Sequence, residues 1–177
     1  MRSCFVSYDI PSSLKIANPT AKLRSLGIRM NKSVWVMPEH CVPHGYLDEI
    51  REAGAAVYIV RFDEAEQGKL LEMARRALES EAARIVKGME ESIARAERIM
   101  QPEGFLPVSE EQTERYEKYM RVVLRRAGKE LIAAKCASSS FDLFQTLEYA
   151  FTATAQAIKA AQDAFLASPM QSTSVYA

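Results

Sequence analysis

A chain of 177 residues, 48% hydrophobic and 26% charged, has a globular make-up and enough length for one domain or a small domain with an appendage. Its 23 basic and 23 acidic side chains cancel, so net charge calls for neither nucleic acid nor membrane, and a polyanion would have to be held by a local patch. No apolar run approaches the ~20 residues of a membrane span, the N-terminus lacks a signal-peptide pattern, and Cys4, Cys41 and Cys136 are too few and scattered for a disulfide framework; a soluble cytoplasmic protein is expected.

The first third alternates strand and helix signals. "RSCFVSYDI" is rich in β-branched and aromatic residues and predicts a buried strand. After the loop "IPSSLKIA", Asn18 and Pro19 form an N-cap and first helical position for a helix through Leu23 and Leu26. Gly27 then stands where a left-handed residue would stop it. "IRMNKSVWVMP" predicts two short strands reversing at Asn31 and Lys32, and Pro38 ends the second. Beyond "EHCVPHG", Tyr46 to Ala53 reads as a helix with Leu47 and Ile50 inward, Gly54 as its stop, and "AAVYIVRF" as a last strand. The order β-α-β-β-α-β suggests an α+β fold: a ferredoxin-like domain over residues 1–64, a four-stranded antiparallel sheet with both helices on one face.

From Glu64 the pattern becomes helical, and residues 65–168 form a three-helix extension. Leu71, Ala74, Leu78, Ala82, Ile85, Met89, Ile93, Ala96 and Met100 recur at spacings of three and four, the seam of a helix over 65–100 roughly 50 Å long. Gly68 and Gly88 weaken it, and either could mark a bend. "SEEQ" at Ser109 to Gln112 has the form of a capping box and opens a helix over 110–135, with Tyr116, Met120, Val123, Ala127, Leu131 and Ala134 as its seam. "ASSSFD" interrupts, and Phe144, Leu147, Phe151, Thr154, Ile158, Ala161 and Phe165 mark a third helix over 141–166. Residues 169–177 read as a flexible tail. So much apolar helix surface must be buried somewhere, and the expectation is a helical bundle with assembly into a dimer or higher homo-oligomer.

Four groups of residues could carry chemistry. Asp9 ends an apolar strand before "PSS": it is either a ligand for a divalent metal or the acceptor of an Asx-turn to Ser12 or Ser13. Arg24, Arg29, Lys32 and Ser33 could contact phosphates, with Trp35 or Tyr8 as a stacking surface, or they form a solvated face with Trp35 in the core. Glu39, Asp48, Glu49 and Glu52 would blunt a positive field there. "PEHCVPHG" holds both histidines, His40 and His44, around Cys41; three donors on five residues rarely converge on one tetrahedral ion, so no metal is assigned to them. Arg121, Arg125, Arg126, Lys129 and Lys135 follow glutamates on the second long helix, an order the helix dipole favours, and read as structural first and as a docking face for an acidic partner second.

The segments "VSYDIP" and "LGIRMNKSVWVMP" resemble those of the small CRISPR adaptation nuclease family, the partner subunit of the spacer integrase. They are also similar to the N-terminal domain of chromate-resistance regulators, whose pattern includes L-G-x…K-x-S-V-W/Y-V-L-P. The likeness spans Cys4 to about Phe62. It implies a ferredoxin-like fold, and it makes Asp9 the counterpart of a carboxylate that faces its twin across a dimer axis and holds Mg or Mn in a metal-dependent endonuclease. The aspartate fits the nuclease family, whereas the long helical segment departs from that family's shorter subunits. Two functions are carried forward. One is a nucleic-acid-associated or regulatory oligomer with metal-dependent phosphodiesterase chemistry at Asp9. The other is a non-catalytic interaction protein that assembles through its helices with copies of itself or a protein partner.

Overall fold

The computed structural model describes residues 2–14, 19–101 and 108–166. The expected cap at Asn18 and the tail at 169–177 lie outside them. The fold is α+β, a four-stranded antiparallel sheet with helices. In chain order the elements are β1 (Ser3–Asp9), α1 (Pro19–Leu23), β2 (Ile28–Arg29), β3 (Val34–Pro38), a 3-10 turn (Glu39–Cys41), α2 (His44–Glu52), β4 (Ala56–Arg61), α3 (Glu64–Ile99), α4 (Glu110–Ser140) and α5 (Glu148–Leu166). The strands lie in the order β2-β3-β1-β4. Among the described residues, those up to Glu81 together with Ile132–Glu148 form one compact unit, and Ala82–Leu131 with those from Tyr149 onward form a second.

In the first unit the two-residue period of β1 separates its faces. Cys4, Val6 and Tyr8 point into a core shared with Trp35 and Met37 of β3, Leu23 of α1, and Leu47 and Ile50 of α2. Ser3, Phe5, Ser7 and Asp9 therefore share the opposite face. Register is set by Val6 opposite Trp35 and Ile59, and by Asp9 opposite Ala56 at the end of the β1–β4 ladder. At the other end, Ser3 faces Pro38, which has no N–H, and β4 has stopped at Arg61. The Gln67 side chain continues the ladder there: its Oε1 accepts from Ser3 N at 2.7 Å while its Nε2 donates to Ser3 O at 3.3 Å and Phe62 O at 3.0 Å.

Two helix ends in this unit share one device. Gly54 (φ 103°) closes α2, with Ala55 N donating to Ile50 O at 3.0 Å and Gly54 N to Arg51 O at 2.9 Å. Asp142 (φ 56°) closes α4 with the same pair of bonds, Leu143 N to Ser138 O at 2.9 Å and Asp142 N to Ser139 O at 3.1 Å. Both are Schellman motifs, and aspartate is one of the few residues that tolerates the left-handed position without being glycine. Gly27 is not of this kind. Its φ is not positive, and it is small because a Cβ there would stand 2.6 Å from Val36 O and 2.8 Å from Met37 Cβ. Close backbone approach, not a turn, requires that glycine.

The serines expected to interrupt the helices do not. Ser138 Oγ and Ser139 Oγ donate to Lys135 O at 2.8 and 3.0 Å, and Ser140 Oγ to Cys136 O at 3.1 Å, so α4 continues to Ser140. Turns then lead to α5, which starts at Glu148 rather than Phe141, leaving Phe144 outside the helix and partly exposed. On α3, Leu70 is buried and Leu71 is 39% exposed, so the seam enters one residue earlier than the spacing predicts; from Ala74 to Met89 the expected seam positions are buried. The capping box forms reciprocally, Gln112 N to Ser109 Oγ at 3.2 Å and Ser109 N to Gln112 Oε1 at 2.9 Å. In the second unit α3, α4 and α5 meet through Ala96, Met120 and Phe165, with the Tyr116 and Phe165 rings 5.9 Å apart.

Candidate functional site

The β2–β3 turn and the end of β1 come together at one end of the sheet. Tyr8 N donates to Ser33 O at 3.1 Å, and the Tyr8 hydroxyl reaches Lys32 O at 3.5 Å. Asp9 is the next residue of β1 and is exposed, on the face away from α1 and α2. Among the described residues no hydrogen bond engages its carboxylate. The turn that follows is closed by backbone instead, Leu14 N to Pro11 O at 2.9 Å, so the Asx-turn to Ser12 or Ser13 does not form.

The reversal itself is built by Asn31 and Arg29. Asn31 Oδ1 accepts from Ser33 N and Val34 N, both at 3.0 Å, the Asx geometry that lets a short polar side chain stand in for backbone. The Arg29 guanidinium donates through Nε to Asn31 O at 2.9 Å and through Nη2 to Lys32 O at 3.1 Å. Its charge stays at the exposed rim while part of its donor set is used on the turn. Lys32 is exposed and Ser33 half-buried beside it. Arg24, also exposed, precedes β2 and so begins at the opposite end of that short strand from the turn. Three of the four predicted phosphate contacts thus share one hairpin next to Asp9.

Neither aromatic is a stacking surface. Trp35 is 1% exposed and Tyr8 6% exposed, both in the sheet core, where alternation along β1 and β3 sends them inward. Trp35 Nε1 is buried without an acceptor among the described residues.

The loop with both histidines lies past Pro38, at the other end of β3. Glu39 there pairs with Arg61 Nε at 2.5 Å, His40 is exposed and Cys41 half-buried. Among the described residues no three His, Cys, Asp or Glu side chains are grouped to hold a metal ion. Cys4 lies in the core, with its thiol 3.6 Å from Met37 O. Burial, with a smaller contribution from the Glu39 charge, pushes it up to about 11, which keeps it a neutral, unreactive thiol near neutral pH.

On α4 the basic cluster is partly spent on ion pairs within the second unit. Arg121 pairs with Glu117 at 3.3 Å, and Arg126 Nε donates to Glu130 at 3.0 Å. Glu130, only 8% exposed at its side chain, also accepts from Arg84 of α3 at 3.0 Å. This inter-helix clamp was not legible in the sequence, because it joins residues 46 positions apart.

No helix among the described residues is long and apolar enough to cross a membrane. No protein-family model, curated protein or solved structure matches this chain.

Proposed function

We propose that residues 3–61 form a ferredoxin-like module resembling the CRISPR adaptation nucleases, and that the protein is a nucleic-acid-associated or regulatory homo-oligomer of the cytoplasm. The strand order β2-β3-β1-β4, with one helix in each of the β1–β2 and β3–β4 connections, supports the split β-α-β reading. The observation that carries the functional reading is the exposed Asp9 carboxylate beside the Arg29–Ser33 hairpin, an acid next to Lys32 and the Ser33 hydroxyl, side chains of the kind that contact phosphate oxygens.

The donor chemistry fits Mg or Mn, which need only one or two carboxylates plus phosphate oxygens and waters. Such an ion would supply a bound water or a polarised phosphoryl oxygen. Asp9 would hold it, and Lys32 with the Ser33 hydroxyl would hold the phosphodiester backbone in register. Each chain brings one such aspartate, so a site with two carboxylates takes two copies with their sheet ends converging.

The test is digestion of RNA and duplex DNA with magnesium or manganese by the wild type and Asp9→Asn, beside a solution mass. Cleavage that falls roughly a hundredfold in the variant, the equivalent of about 2.7 kcal/mol of barrier, is expected. Equal rates in both proteins would remove the catalytic reading, and a clean monomer would remove the two-copy site.

A second reading, a non-catalytic interaction protein assembling through its helices, is favoured by two observations. Arg29 already spends donors on its own turn, and Val122 and Ile132 of α4 and Tyr149 of α5 are exposed. Here the partner is another protein or a further copy of the chain.

A further inference from the structure

In the second unit a cleft of about 390 Å³ lies between α3 and α4, within the ~300–1,000 Å³ range of small-molecule sites. Its lining combines two kinds of surface. Val122 is an exposed and Val123 a half-buried apolar side chain, alongside the buried Ile85, Met89 and Ala127, while Arg84, Arg95 and Arg126 are the cations and Glu130 the one carboxylate of the lining. The cations are held in place. Arg95 lies 5.9 Å over the Tyr119 ring, and Glu130 accepts from both Arg84 and Arg126. Glu130 accepts the Nε–H of Arg126, whose side chain is 74% exposed, so its Nη donors can receive an anion. Gly88 sits in the lining, and a Cβ there would meet nothing within 4 Å, so its missing side chain is open volume in the cleft.

We infer that this cleft binds a small amphiphilic carboxylate, its apolar body on Val122 and Val123 and its acid on the Arg95 and Arg126 guanidiniums. The Arg95 and Arg126 guanidiniums decide for an anion, and the accessible Val122 and Val123 side chains decide against a bare inorganic one. Neither feature involves the sheet end, so the inference stands apart from the nucleic-acid reading.

Calorimetric titration of the full chain with 1-naphthoate tests it, with 1-naphthalenemethanol as the neutral analogue and inorganic phosphate as the bare anion. Naphthoate should bind, with both comparators at least about tenfold weaker. Gly88→Leu should fill the cleft and abolish binding while its melting temperature stays level or rises, because leucine is the better helix former and its Cβ meets nothing within 4 Å. Should that variant melt early, Arg95→Gln decides, and it should weaken naphthoate several-fold without changing the weak binding of the alcohol. No naphthoate binding by the wild type, equal affinity for either comparator, or undiminished binding in a folded Gly88→Leu or in Arg95→Gln would each overturn the inference.

Discussion

Trp35→Ala should lower stability by about 3–5 kcal/mol, the cost of emptying a buried aromatic site, and depress Tm by roughly 10 °C. The size of the effect follows from position. Trp35 is on β3 opposite Val6 of the central strand, buried in one core with Cys4, Val6 and Tyr8 of the sheet and Leu23, Leu47 and Ile50 of the helices. Trp35→Phe should behave differently. It leaves a smaller void and removes an indole N–H that has no acceptor among the described residues, a group whose burial costs about 1–3 kcal/mol. The two terms oppose, so the phenylalanine variant should lie within about 1.5 kcal/mol of the wild type. Denaturant titration of both variants checks this, and a phenylalanine variant as unstable as the alanine one would mean that the indole makes a bond this account misses.

Gly27→Val should destabilise by about 2–3 kcal/mol through overpacking. The Cβ alone would come 2.6 Å from a carbonyl oxygen of β3 and 2.8 Å from Met37 Cβ, and backbone cannot retreat as a flexible side-chain end can. The neighbouring ladder, Ile28 opposite Val36, would have to open to admit it. Gly68→Val is the matched control, because a Cβ there meets nothing within 4 Å. A Gly27 variant no less stable than this control would show that the β2–β3 hairpin gives way freely.

These two sites also show what local sequence carries. β-branched and aromatic runs marked β1, β3 and β4, and the order of elements followed from their alternation with short helical stretches. The capping box at Ser109 and the stop at Gly54 were readable because both are local, made by residues within a turn of one another. Gly27 shows the converse: the composition of a helix end looks alike whether the glycine is needed for a left-handed turn or for contact with a strand nine residues on. The three serines before Phe141 resemble a break because such residues compete with backbone bonding, yet each hydroxyl bonds back to the preceding turn and the helix continues. Leu70 and Leu71 are adjacent and alike, and only the partner surface decides which is buried.

The candidate site was legible in part. Asp9 and the basic residues were picked out by type, and pairing of Tyr8 with Ser33 explains why a carboxylate and a hairpin more than twenty residues later share one sheet end. That Arg29 spends donors on the turn, and that Trp35 and Tyr8 face inward, depend on the strand register. The Gln67 bridge and the Glu130 clamp join distant segments, and no spacing rule announces them.

The most direct measurement of the central proposal, that the Asp9 end of the sheet contacts nucleic acid, is equilibrium binding across a salt series for the wild type and Lys32→Glu. Wild-type affinity should fall linearly in log–log form with salt, and the variant should bind more weakly with a slope shallower by about one. A wild type that binds neither RNA nor duplex DNA at low salt, or a variant whose affinity and slope are unchanged, would contradict it.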